Sequence, residues 1–172
     1  MRTYSHALLT YEVIRLAKSD ASRKAALAAL GATLPDTPAV LGAAWLWTKR
    51  KGFSRKDFDE QVCGRTLFKA PDAALHSAPV AATAMLIERI LRRKISAFLL
   101  GWAGHVVADF LTHGKDARPI LWPISQRKFE SPVSYREKER YGKAFTVAEH
   151  ATVLGTLIGL LIEARQSAQE AD

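Results

Sequence analysis

The chain has 172 residues, 48% of them hydrophobic, with 25 Lys or Arg against 17 Asp or Glu and a net charge of +8. That length suits one domain with a sizeable core, and the charge implies an anionic partner: a phosphate ester, a lipid surface or, less in keeping with the lack of any recognisable module, a nucleic acid. The single cysteine, Cys63, excludes an intramolecular disulfide and any thiolate-rich zinc site, so a metal would have to be held by the five histidines with Asp and Glu.

Apolar residues at helical spacing predict a first helix from Tyr4 to Lys18, with His6 in its first turn. Ser22 is a suitable N-cap for a second, Arg23 to Leu30, which Gly31 would close. Two prolines then frame Asp36, whose carboxylate either faces a ligand or caps a helix beginning at Pro38. A short apolar helix, Ala39 to Trp47, leads into a basic cluster, Lys49 to Lys56, which reads as a headgroup contact or simply a solvated surface. Ser54 caps a charged segment, Arg55 to Val62.

His76 stands just before an amphipathic helix, Val80 to Leu91, and a mostly buried helix from Ile95 to Thr112 follows almost at once, so the two should form an antiparallel hairpin. Gly114 to Ser125 reads as an extended, Pro-bounded loop with Ile120, Leu121 and Trp122 turned inward, and Gln126 to Gly142 is highly charged. The last helix, Phe145 to Ala164, has Glu149 and His150 near its start and a Gly155-x-x-x-Gly159 spacing that lets another helix approach closely. These elements predict an all-α, single-domain bundle of about six to seven helices over 1–165, with core helices near 80–91, 95–112 and 145–164 and a frayed tail over 166–172. The longest uncharged apolar run, Ala151 to Ile162, falls short of the roughly 20 residues a spanning helix needs, and no apolar leader follows Met1. The expected location is therefore cytoplasmic, at most peripheral to the inner membrane.

Within the central helix His105, Asp109 and His113 recur at i, i+4 and i+8, drifting by only about 80° around the axis, so they share a face. Two imidazoles and a carboxylate on an apolar helix are costly to bury unless something binds them, and a divalent metal such as zinc would. A buried, hydrogen-bonded His–Asp pair with His113 exposed at the helix end accounts for the spacing equally well.

Several stretches together resemble a known family. Pro35-Asp36, His76-Ser77, His105-x-x-x-Asp109 and Leu121-Trp122-Pro123-Ile124-Ser125 are similar to the metal-dependent hydrolases of bacterial inner membranes. The order of histidines and aspartates also resembles the all-α zinc-dependent phospholipase C and single-strand nuclease superfamily. The resemblance implies His6, Asp36, His76, His105, Asp109 and His113 as metal ligands. The late His-x-x-x-Glu pair of the phospholipases is missing, and Glu149-His150 is its nearest substitute, which adds His150 as a candidate ligand.

The function so implied is a metal-dependent hydrolase of a phosphate ester, phospholipid or other phosphodiester, with Asp36 or Glu149 as base and basic clusters attracting the substrate. No Ser-His-Asp or Cys-His arrangement competes with it. The alternative is a non-enzymatic helical scaffold or membrane-surface adaptor with a structural or vestigial His/Asp cluster.

Overall fold

A computed structural model describes residues 1–17, 22–50 and 52–169; Lys18, Lys51 and residues 170–172, the end of the expected tail, lie outside them. All regular structure among the described residues is helical. At the centre the Ser96 hydroxyl accepts from the Leu99 N–H and opens α7, Ala97–Thr112. Before it runs α6, Ala78–Arg92, which the Ser77 hydroxyl caps by accepting from the Val80 N–H and which ends at Arg93 in the left-handed region with φ 55°. The short link folds the two helices into the expected antiparallel hairpin: the Ser96 N–H donates to the Glu88 carboxylate at 2.7 Å, while Ala81, Trp102 and Val106 share one core cluster.

α2, Ser22–Thr33, lies across the other side of α7, and two glycines set how closely. A Cβ on Gly31 would stand 1.9 Å from the Phe98 carbonyl oxygen, and one on Gly101 would stand 1.9 Å from that of Ala28. Gly31 therefore does not close its helix. It allows backbone to approach backbone, with Ala25, Ala28 and Ala32 fully buried in the contact.

A 3₁₀ turn over Leu34–Asp36 leads into α3, Thr37–Arg50, so the helix starts beside Asp36 without a side-chain cap from it. α4, Arg55–Phe58, begins with a Ser54–Asp57 capping box and passes into a π turn at Asp59–Cys63. α5, Thr66–Leu75, follows and delivers His76. The loop after α7 is pinned to this region, since Ala78 N–H donates to the Ile120 carbonyl at 2.9 Å and the Ser77 hydroxyl donates to that of Trp122. Ile120 and Trp122 are half-buried, whereas Leu121, expected inside, is exposed.

α1, Thr3–Ala17, packs on α2 and runs parallel to α8, Gly142–Gln169. Arg2 pairs with Glu149 near one end of the α1–α8 contact and Arg15 with Glu163 near the other. α8 runs to Gln169 and corrects the sequence reading in two ways. It is not a core helix, because only Gly142 and Glu149 along it are buried, and Leu154, Leu157, Ile158, Leu161 and Ile162 are exposed. It is also long and apolar enough to cross a membrane, because the charges that bound its uncharged run do not end the helix. Gly155 and Gly159 face open space among the described residues, so the close packing their spacing permits is not made.

Candidate metal centre

Four elements meet at the end of the α2–α7 contact. His6 comes from the first turns of α1, Asp36 from the 3₁₀ turn, His76 from the C-cap of α5, and His105 and Asp109 from α7. All three imidazoles are buried. Their Nδ1 atoms show how two of them are held: His105 Nδ1 donates to the Ala32 carbonyl at 2.7 Å and His76 Nδ1 to the Asp72 carbonyl at 2.8 Å. Both rings thus turn Nε2 inward, leaving that nitrogen for the cluster.

The inward atoms are close. His76 Nε2 and His105 Nε2 lie 3.3 Å apart, and Asp109 Oδ2 is 3.4 Å from the first and 3.3 Å from the second. Asp36 Oδ1 stands 3.7 Å from His76 Nε2 and 3.9 Å from His105 Nε2. A tetrahedron of N and O ligands about 2.0–2.2 Å from a zinc ion has edges of about 3.3–3.6 Å, so His76 Nε2, His105 Nε2 and Asp109 Oδ2 have the spacing such an ion requires, and Asp36, which with His76 and His105 forms a group that could hold a metal, stands slightly farther out. His6, His105 and Asp109 form a second group that could hold a metal, overlapping the first: His6 Nε2 sits 2.9 Å from Asp109 Oδ1, and its ring stacks on His105 at 3.8 Å.

The charges respond to this crowding. Burial alone would raise the carboxyls of Asp36 and Asp109, but hydrogen bonds from the surrounding imidazoles outweigh it and hold both well below the ordinary carboxylate range. Burial pulls His76 down, yet Asp109 and Asp36 overcome it and lift it to about 9. At His6 and His113 burial prevails, lowering the first and taking the second to about 4.

The remaining candidates fall into place around this core. His113 caps α7, its Nδ1 donating to the Asp109 carbonyl at 3.1 Å and lying 3.3 Å from Asp109 Oδ1; it is buried, not the exposed end expected of a purely structural pair. Glu149 joins neither group: its carboxylate accepts from the Arg2 backbone N–H at 2.9 Å and from the Arg2 guanidinium. His150 is exposed, donates through Nδ1 to the Thr146 carbonyl at 2.7 Å and pairs through Nε2 with the Tyr4 hydroxyl. The late Glu149-His150 pair is therefore split by helix geometry, since adjacent residues point to different sides.

Four neighbours were not singled out as site residues from the sequence. Thr3 donates its hydroxyl to Asp36 Oδ2. Asp72 accepts from His76 through its carbonyl, while Arg118 grips its carboxylate through Nε and Nη2 at 3.1 and 3.2 Å. Tyr135 meets the edge of His113 at 5.1 Å. Outside the cluster opens a cleft of about 1350 Å³ lined by Asp36, His113, Asp116, Arg118, Tyr135 and Arg136 among others.

A family model described as zinc dependent phospholipase C matches residues 5–153. No curated protein and no solved structure gives a significant match. The matched span contains the whole cluster, and its donor set of imidazole nitrogens and carboxylate oxygens fits a divalent metal, zinc.

Proposed function

Because the chain belongs to the zinc-dependent phospholipase C family, we propose that it is a metal-dependent hydrolase of a phosphate ester carried by a lipid. The observation that carries this reading is the meeting of His76 Nε2, His105 Nε2 and Asp109 Oδ2 within 3.3–3.4 Å of one another, with Asp36 Oδ1 3.7 and 3.9 Å from the two imidazoles, beside a cleft open to solvent. Asp36, His76, His105 and Asp109 would hold one zinc ion, and His6 with the second oxygen of Asp109 supports a neighbouring position. Bound there, zinc would supply Lewis-acid polarisation of the phosphoryl group and a lowered water pKa.

The protein's own groups would do the rest. The Ala32 and Asp72 carbonyls keep the two imidazoles in one tautomer and orientation. Thr3 fixes the orientation of Asp36 by donating to its Oδ2, which favours the ligand role over the base role. Arg118, at the junction of cluster and cleft, would orient an incoming phosphate through the nitrogen that Asp72 leaves free.

Working on a lipid also accounts for α8. Its outward Leu154, Leu157, Ile158 and Leu161 form an apolar face that water would leave exposed, and a bilayer is the environment that covers such a face without a protein partner. The test is metal analysis of the purified protein together with hydrolysis of a phosphodiester and of a phospholipid in mixed micelles. Zinc in at least stoichiometric amount, with hydrolysis lost in His105→Ala, is the expected result. Absence of bound zinc after growth in zinc, or hydrolysis unchanged in His105→Ala, overturns the reading.

A further inference from the structure

The cleft outside the cluster is not electrically neutral, and its charges are distributed unevenly. Each cleft carboxylate already has a partner: Asp59 pairs with Arg55, Asp72 with Arg118, Asp116 with Arg136, and Asp36 with Thr3 and the imidazoles. Lys69 and Lys128 line the same cleft and form no ion pair among the described residues. Arg118, gripped by Asp72 through Nε and Nη2, has a third guanidinium nitrogen with no hydrogen bond among them. It borders both the cleft and a cavity of about 20 Å³ against His76, Asp109 and His113.

The aromatic side of the cleft tells the same way. Tyr135, which touches His113, has the Arg136 guanidinium 5.0 Å from its ring centre and that of Arg2 at 5.9 Å. A quaternary ammonium group seeks an open aromatic face and an unpaired carboxylate. Here Tyr135, the aromatic that touches His113, already has guanidinium neighbours, and each cleft carboxylate has an ion-pair or hydrogen-bond partner, although Asp116 beside Arg136 makes no hydrogen bond among the described residues and Tyr4, Phe58 and Trp122 also line the cleft.

We propose that this cleft favours a phosphate ester carrying a second anionic group, held by Lys69 and Lys128 while Arg118 meets the phosphate nearest the cluster, over one whose second group is a quaternary ammonium. The proposal rests on the phosphoesterase reading for its first phosphate, and the second anionic group comes either from an anionic lipid headgroup or from a soluble bisphosphate.

Isothermal titration of the full chain with propane-1,3-diyl bisphosphate and with phosphocholine tests it, in chelator-treated and zinc-loaded protein. The bisphosphate should bind at least about tenfold more tightly in both, the scale of one or two charge-assisted contacts. Lys69→Gln with Lys128→Gln should close that gap while leaving zinc content unchanged. Vesicles of cardiolipin, whose headgroup carries two phosphates, that displace the bisphosphate point to the lipid source; failure to displace it points to the soluble one. Equal binding of the two compounds, tighter binding of phosphocholine, no binding of the bisphosphate, or a gap that survives the double substitution overturns the proposal. Because the gap is read without zinc as well, its failure is separate from loss of metal uptake in His105→Ala.

Discussion

His76 and His105 present their Nε2 atoms to each other at 3.3 Å, each having committed Nδ1 to a main-chain carbonyl. Two lone pairs at that distance repel unless something positive lies between them or one ring is protonated. With His76 lifted to about 9, a proton takes that place at neutral pH in the metal-free protein. Zinc uptake at pH 7 should therefore release a proton. Titration in buffers of different ionisation enthalpy should return a release near one per zinc; a release near zero would show that His76 is neutral beforehand.

The same two shifts set how stability follows pH without metal. His113 is lowered from 6.5 to about 4, so between those values the unfolded chain binds a proton that the folded chain does not, and stability rises with pH. His76 is raised from 6.5 to about 9, so its contribution is complete below 6.5 and lost as pH climbs through 9. Each amounts to about 3 kcal/mol at most. Thermal melts of chelated protein should peak near pH 6.5 and fall on both sides. Zinc should remove the alkaline fall, because it replaces the proton on His76; a flat profile from pH 5 to 9 would refute both assignments.

His105 belongs to both groups that could hold a metal, so His105→Ala should reduce bound zinc to background. His150→Ala should leave zinc content unchanged, since that ring turns to Thr146 and Tyr4. Metal analysis of the two purified variants decides between them, and equal losses would mean the cluster is wrongly drawn.

Gly31→Ala would push a methyl group to 1.9 Å from the Phe98 carbonyl, and backbone cannot yield as a side-chain tip can. A loss of about 3 kcal/mol is expected from such overpacking. Because Ala32 is next in the chain and holds His105, the variant should bind zinc less well even where it remains folded. Gly155→Ala, facing open space, should do neither. Chemical denaturation and zinc titration of both variants provide the comparison.

If α8 meets lipid, Leu157→Glu combined with Leu161→Glu on its outer face should reduce co-flotation with vesicles several-fold without altering zinc content. Unchanged flotation would leave the outer face of α8 without a role in lipid contact.

The helices near 80–91 and 95–112 were legible because apolar residues recur along both at helical spacing, and the structure adds Ser77 and Ser96 as their caps. The alignment of His105, Asp109 and His113 could likewise be read from helical spacing alone. The part played by Gly31 could not: a glycine after an alanine-rich helix reads as a stop, and only the proximity of α7 shows it to be a contact. α8 misled for a related reason. Apolar composition signals removal from water without saying what does the removing, and a hydrophobic helix suits a core or a bilayer equally well. Asp72, Thr3 and Arg118 were hidden because their roles depend on neighbours brought together from distant parts of the chain.

The two carbonyls that orient His76 and His105 are main-chain atoms, and every residue type possesses one. As the sequence drifts over generations, positions 32 and 72 can therefore change side chain, within what packing permits, without loss of the acceptor that aims each ring. An imidazole oriented by a carboxylate side chain has no such immunity, because a single codon change can remove its partner. Descendants of this chain should thus keep the orientation of their metal centre across more divergence than a comparison of side chains would reveal, for as long as the backbone at the α2–α7 contact stays where its glycines allow it.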